Sequence, residues 1–276
     1  SKEKKTSDGE TMWIPFIKKS ISLLKNKGKL LMIIPSIWMK PDRAKTYHYL
    51  MNYKILKLRC FNNTETNKIF SREAQTPTCI LLLSKEMNNI QNNNKIELDL
   101  YDKQRAIYVP YKFNLNKPIP VFGISIINKI QPFIEEFGCI KVLKSNTPKK
   151  NSLFSDIKND IYKYPNIKTT ILEGNTPRLI INFSNTPQSF FEESKVVLPH
   201  KMYGFPYIDK NGIYGISNRD NYIIKNNELE ELEIIKDFFS TMTALYIFET
   251  TRYRMKYLEK YAFEFIPDIK CLLKIE

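Results

Sequence analysis

The run KLLMIIP, from Lys29 to Pro35, does most to limit what this chain can fold into. It is far too short to span a membrane and has the length of a strand. Bounded by Gly28 and Pro35, a continuous apolar run of this kind reads as a strand buried on both faces. The segment before it, MWIPFIKKSISLLKN, repeats Trp13, Phe16, Ile17, Ser20, Leu23 and Leu24 at helical spacing. Pro15 is tolerated in the first turn of that helix, Lys25 and Lys27 suit the negative end of its dipole, and Gly28 stops it. After Pro35 come a loop, SIWMKPD, a short helix from Arg43 to Met51 and a strand from Lys54 to Phe61. A polar stretch, NNTETNKIFSREAQTPT, leads to a third strand, CILLLSK. Helix–strand–helix–strand–loop–strand is the rhythm of a doubly wound, Rossmann-like α/β sheet. Three strands do not complete one, so the segment reads as the second half of such a sheet, with an open edge or face.

The Asn-rich residues 86–100 mark a change of character, and residues 1–97 form the first expected domain. Residues 98–227 hold short apolar pieces broken by Pro, Asn and Gly: PIPVFGISII, TTILEGN, PRLIINFS, KVVLP and NGIYGIS. They read as strands and turns of an irregular α+β module, with partial helical spacing in INKIQPFIEEFG. Residues 228–276 read as a helical segment. The first ten residues are polar and give no signal peptide. No run approaches a membrane span, so no membrane partner is expected.

The formal net charge is +14, and a polyanion, above all DNA, is the partner such a chain suits. Codon usage competes as the cause, because Lys outnumbers Arg 35 to 8 as in an AT-rich genome, bacterial, protist or viral. Cys60, Cys79, Cys139 and Cys271 are too far apart for a zinc knuckle, and His48 and His200 are the only histidines. Spread thiols fit a reducing compartment: the cytoplasm of a bacterium or host, or a packaged virion.

Trp13-Ile14-Pro15-Phe16, the run through Trp38, and IFSREAQTPTCILLLSK together resemble the stretch after the catalytic loop of N6-adenine-specific DNA methyltransferases. YRMKYLEKYAFEFIPDI resembles a segment downstream of target recognition in type IIG restriction–modification enzymes. The resemblance covers residues 10–85 and 250–270. It implies the C-terminal half of the methyltransferase catalytic domain over 1–97, a target-recognition domain over 98–227 and a helical tail. Methylating adenine in a duplex requires extruding the base, stacking it on an aromatic face and holding its amine in an N-P-P-Y-type loop. That loop is absent, since the chain has no Pro-Pro dipeptide, and no G-x-G follows an N-terminal buried strand. S-adenosylmethionine is therefore expected only in a complete enzyme and not on this chain alone. The expected partners are DNA and a missing N-terminal half, cleaved away or carried by another subunit. A non-catalytic descendant, serving as a structural or binding subunit of a larger assembly, is the other reading.

Phe70 aligns with the aromatic that stacks on the extruded adenine in the resembled family; packing into the core is its competing role. Lys40, Arg43 and Lys45 follow the first strand, where ligands gather in α/β sheets, although a solvated turn would look the same. Trp38 beside them reads as core. Lys149, Lys150, Arg178, Lys201, Tyr203, Tyr207, Arg219 and Tyr222 interleave charge and aromatic rings in loops of the recognition region, a pattern that suits DNA backbone and base contact and also an ordinary Lys- and Tyr-rich surface. Arg252, Arg254, Lys256 and Lys260 read as a solvated face of the last helix. Glu193 and Lys195 with Asp160 can be forced into a metal-nuclease pattern that chance supplies in a Lys-rich chain.

Overall fold

The protein, seen in a computed structural model, is described for residues 11–74, 76–88, 95–144, 148–174, 176–201, 204–226, 228–254 and 257–268. It divides into two compact units. The first is residues 1–129 with 250–255, and the second is residues 130–249 with 256–276. The architecture is mixed α/β, with several sheets.

In the first unit, α1 (Trp13–Leu23) leads into β1 (Lys29–Pro35), then α2 (Thr46–Met51), β2 (Tyr53–Phe61), α3 (Asn63–Ile69) and β3 (Thr78–Met87). β4 (Lys95–Asp102) and β5 (Ile107–Asn114) complete a five-stranded sheet in the order β1-β3-β2-β4-β5. β3 runs antiparallel to both β1 and β2, β4 lies parallel to β2, and β5 is antiparallel to β4. The sheet therefore continues past residue 97, and the alternation in KIELDLY is that of β4.

Register assigns each side chain to a face, because directly paired residues share one. Leu58, Cys60, Cys79, Leu81, Leu83, Leu98, Leu100 and Tyr111 fall on one face and are all buried. Trp38 and Met39, from a single 3-10 turn after β1, are fully buried against it. Trp38 Nε1 donates to Cys79 Sγ at 3.4 Å, and the Cys60 thiol lies 3.6 Å from Met39 Sδ. Trp38 thus serves the core, as expected of a tryptophan at this position. Tyr47 and Tyr253, both inaccessible, tie segments 117 and 119 to this core through their hydroxyls, which donate to Lys117 O at 2.7 Å and Ile119 O at 2.6 Å.

The opposite face changes one expectation. Among the described residues β1 is an edge strand, and Leu31 and Ile33 are 67% and 51% exposed rather than buried on both sides. They pair with Leu82 and Ile80 of β3, giving an aliphatic stripe at the open edge. Farther in, Arg59 lies over the Tyr101 ring at 4.4 Å and the Phe61 ring at 5.3 Å, and Lys57 lies over Tyr108 at 4.9 Å. α1 also differs from its expected face. It buries Ile14, Ile17 and Ile21, while Phe16 and Leu23 are exposed.

α4 (Ile124–Phe137) begins within PIPVFGISII, so that piece is a helix start and not a strand; Pro132 lies inside the helix. Among the described residues, the second unit holds two sheets. β6 (Phe154–Ser155), β7 (Tyr164–Glu173), β8 (Thr176–Ser184) and β11 (Gly215–Ile216) form one, in the order β11-β7-β8-β6. β9 (Lys195–Pro199), β10 (Tyr207–Asp209) and β12 (Asn221–Lys225) form the other, with β9 central and buried along its whole length. Ile167, Val197, Ile216 and Ile223 make a common core. α5 (Leu229–Phe239) and α6 (Met242–Thr250) are separate helices. Phe239, Phe248 and Phe263 pack ring to ring at 5.6 to 6.0 Å. Arg252 and Arg254 follow the end of α6 and are not on a helix, and Lys260 opens a 3-10 turn. Lys256 lies outside the described residues. Among the described residues, no helix is long and apolar enough to cross a membrane.

Candidate nucleic-acid interface

β1, β2 and β4 run in the same direction, so their carboxyl ends share one end of the first sheet. Open α/β sheets receive ligands at that end. Lys40, Arg43 and Lys45 follow β1 there, and Phe70 follows β2 through α3. The two loops are pinned together: Ser36 donates from its backbone at 2.9 Å and its hydroxyl at 3.0 Å to Pro77 O. Arg43 and Lys45 are exposed, and Lys40 is half-buried. Lys45 takes a left-handed φ of 57° immediately before α2. The Asp42 carboxylate accepts from Thr46 N at 2.9 Å and fixes that corner.

Phe70 is 38% exposed and ends α3. α3 starts from a capping box in which Asn62 Oδ1 accepts from Glu65 N at 2.9 Å and Glu65 Oε2 accepts from Asn62 N at 2.7 Å. The polar stretch after Phe61 holds a helix where its composition suggests a loop, and Asn62-x-x-Glu65 is the local signal for it. Glu65 also pairs with Lys103, on the β4–β5 turn at the same end of the sheet. Thr66 and Thr78 share a hydroxyl–hydroxyl bond of 3.0 Å that holds α3 to β3.

In the second unit, segments 143–144, 199–201, 219–222 and 257–260 meet. Lys201 pairs with Tyr257, Asn221 pairs with Pro199, and Leu143 pairs with Ile223. His200 O accepts from Leu258 N at 2.7 Å. The His200 ring stacks on Tyr257 at 4.9 Å and 25°, and Tyr257 is 40% exposed. Lys144 Nζ lies 4.8 Å from the Tyr222 ring centroid. Burial lowers the Lys144 pKa; Asp220 and Glu259 oppose that shift, while Arg219 and Lys260 add to it. Lys201, Arg219 and Tyr222 are thus gathered with His200, Lys144 and Tyr257, which the sequence did not single out. Arg219 is exposed. Tyr222 is buried and forms the floor of the group: its hydroxyl donates to Leu258 O at 2.9 Å, and burial pushes its pKa up. Lys201 also lines a largely apolar cavity of about 180 Å³ together with Phe205, Phe239, Leu245 and Phe248.

The remaining residues lie apart from this group. Tyr207, on β10, stands edge-on to Tyr214 at 6.1 Å. Lys149 and Lys150 are exposed, and Lys149 N donates to Gln188 Oε1 at 3.0 Å. Arg178 pairs with Glu173 at 3.0 Å across the β7–β8 hairpin. Tyr203 lies outside the described residues. The nuclease pattern does not assemble. Lys195 is buried and bonds Asp209 at 2.6 Å, Glu193 pairs with Lys225, and Asp160 is exposed. Among the described residues, no three His, Cys, Asp or Glu side chains cluster as a metal site.

Residues 1–70 match the model of the family Eco57I restriction-modification methylase. The matched segment runs from the N-terminus through β1 and β2 to Phe70 itself. It supports a relationship between this part of the chain and restriction–modification methylases. No curated protein matches the chain.

Proposed function

We propose that this chain is the downstream portion of an adenine-specific DNA methyltransferase of the type IIG kind. It holds DNA and presents an extruded adenine for S-adenosylmethionine-dependent N6 methylation. The observation that carries this reading is a coincidence of place. The segment matched by the methylase family ends at Phe70, and Phe70 stands exposed at the carboxyl end of the sheet, the end at which Lys40, Arg43 and Lys45 follow β1. An exposed aromatic and cations at one end of a sheet suit a flipped base and its flanking phosphates. In this reading the five-stranded sheet is the second half of the doubly wound catalytic sheet. Its other half, with the methyl donor and the N-P-P-Y loop, pairs along the free edge of β1 and covers Leu31 and Ile33. Residues of the second unit, with Arg219, Lys201 and the His200–Tyr257 stack, read the target.

The test has two arms. Binding of the chain to duplex DNA is followed by fluorescence anisotropy from 50 to 200 mM salt. Methyl transfer from labelled S-adenosylmethionine to N6 of adenine is then assayed with the chain alone and with any methylase subunit that co-purifies. Affinity should fall steeply with salt, as it does when cations displace counterions from phosphates, and transfer should need the second component. DNA binding that is absent at 50 mM salt sinks the reading.

A further inference from the structure

The turn after α3 is held in an unusual form. Ser71 and Arg72 are consecutive non-glycine residues with left-handed φ values of 51° and 72°. The first has a local cause. Arg72 N donates to Asn67 O at 2.7 Å, closing the six-residue hydrogen bond that caps many helices, and Ser71 occupies the left-handed position usually given to glycine. The second left-handed residue is not required by that cap. Two successive residues in this sparsely populated region persist only where their surroundings impose them, and such places cluster at ligand sites.

Asn67 supplies the imposition. With its amide nitrogen turned toward the chain, it donates to Ala74 O at 2.8 Å and Arg72 O at 3.3 Å. Its own carbonyl accepts from Arg72 N, and Glu73 N donates to Phe70 O at 2.9 Å. One residue of α3 thus holds the turn at three points, the N–H and carbonyl of Arg72 and the carbonyl of Ala74. The turn leaves Phe70 and Arg72 exposed, two residues apart, at the carboxyl end of the sheet. An aromatic ring and a guanidinium displayed together make a contact for a nucleobase and its phosphate.

We propose that Asn67 is a positioning residue that locks this turn so that Phe70 offers a stacking face and Arg72 a cation to one extruded nucleotide. The inference rests on the base-stacking reading of Phe70 and adds the device that sets it and the cation that accompanies it.

The test uses the intact chain and a duplex carrying 2-aminopurine opposite an abasic site, so that the probe base is already unpaired. Wild-type protein quenches the probe, and Phe70→Ala abolishes the quench. Asn67→Ala and Asn67→Asp, which both remove the donor, each weaken the quenching association about tenfold, or ~1.4 kcal/mol. In the Ser71→Gly/Arg72→Gly background, which lacks the Arg72 cation throughout, Asn67→Ala costs little further, because glycine adopts positive φ without strain. Arg72→Ala weakens association and lowers its salt dependence. A quench that survives Phe70→Ala overturns the stacking reading itself. A quench lost with Phe70→Ala but kept by both Asn67 variants overturns the lock alone, and so does an Asn67→Ala loss that is just as large in the two-glycine background.

Discussion

Lys195 enters β9 with its ammonium closed off from water. Burial lowers its pKa, and the bond to Asp209 works against that shift. Asp209 does more than neutralise it: its carboxylate accepts from Ile213 N at 3.0 Å and Tyr214 N at 2.9 Å, so one acid fixes both the lysine and the turn after β10. Removing one member of a buried pair leaves the other charged without compensation. Lys195→Met should therefore reduce stability by roughly 3–5 kcal/mol, read as a shifted urea midpoint. The buried thiols give a prediction of pH dependence. Burial raises Cys79 from the ordinary 9.0 to about 12, and burial followed by the neighbouring Cys79 pushes Cys60 well up. An acid whose folded pKa is raised binds its proton more tightly in the native state. The stability it contributes is complete below pH 9 and declines as pH climbs from 9 toward 12. Urea midpoints should hold from pH 7 to 8.5 and fall above 9. Cys79→Ala should flatten the fall, and an unchanged slope in that variant would assign the loss to other groups.

Elements show how far the sequence could be read. The run KLLMIIP gave a strand correctly, because its length and bounding residues are local facts. Its burial came out differently, because the covering of Leu31 and Ile33 depends on neighbours that no local pattern encodes. α1 shows the same limit. Phe16 and Leu23 share the helical apolar spacing, yet Ile14 and Ile21 point to the core. Lys40, Arg43 and Lys45 stand out in the sequence because they follow a strand, where α/β sheets bind ligands, and Phe70 stands out only through the family resemblance. The His200–Tyr257 stack could not, since it joins segments 57 residues apart through strand pairing. α3 was legible in its capping box, and that box matters beyond its size. A helix of 7 residues has little intrinsic stability, and this one holds Phe70 at its end. Asn62→Ala should lower stability by about 1 kcal/mol. It should also speed amide exchange across residues 63–70 more than in β2, as hydrogen-exchange mass spectrometry would show. Equal acceleration in both elements would mean that the cap supports the whole unit and not the helix.

For the whole molecule, a charge of +14 and an open sheet edge pull in opposite directions. Like charge keeps copies apart and draws DNA in. An edge strand that pairs on one side only among the described residues, and that exposes Leu31 and Ile33, invites another strand. Salt separates the two tendencies, because the Debye length falls from ~30 Å at 0.01 M to ~8 Å at 0.15 M. Raising salt screens repulsion between copies and leaves apolar burial in force, while it weakens phosphate contacts. Self-association of the isolated chain should therefore increase with salt over the range in which DNA affinity drops. Sedimentation velocity at fixed protein concentration would follow the first trend and anisotropy the second. Leu31→Lys with Ile33→Lys places two like charges on the exposed face of an edge strand, a site where native proteins use lysine to prevent pairing. That double variant should stay monomeric at 0.5 M salt, unfold at an unchanged urea midpoint and bind DNA at least as tightly as the parent. If it associates as readily as the parent, the β1 edge is not the sticky surface and the site offered to a second half of the sheet lies elsewhere.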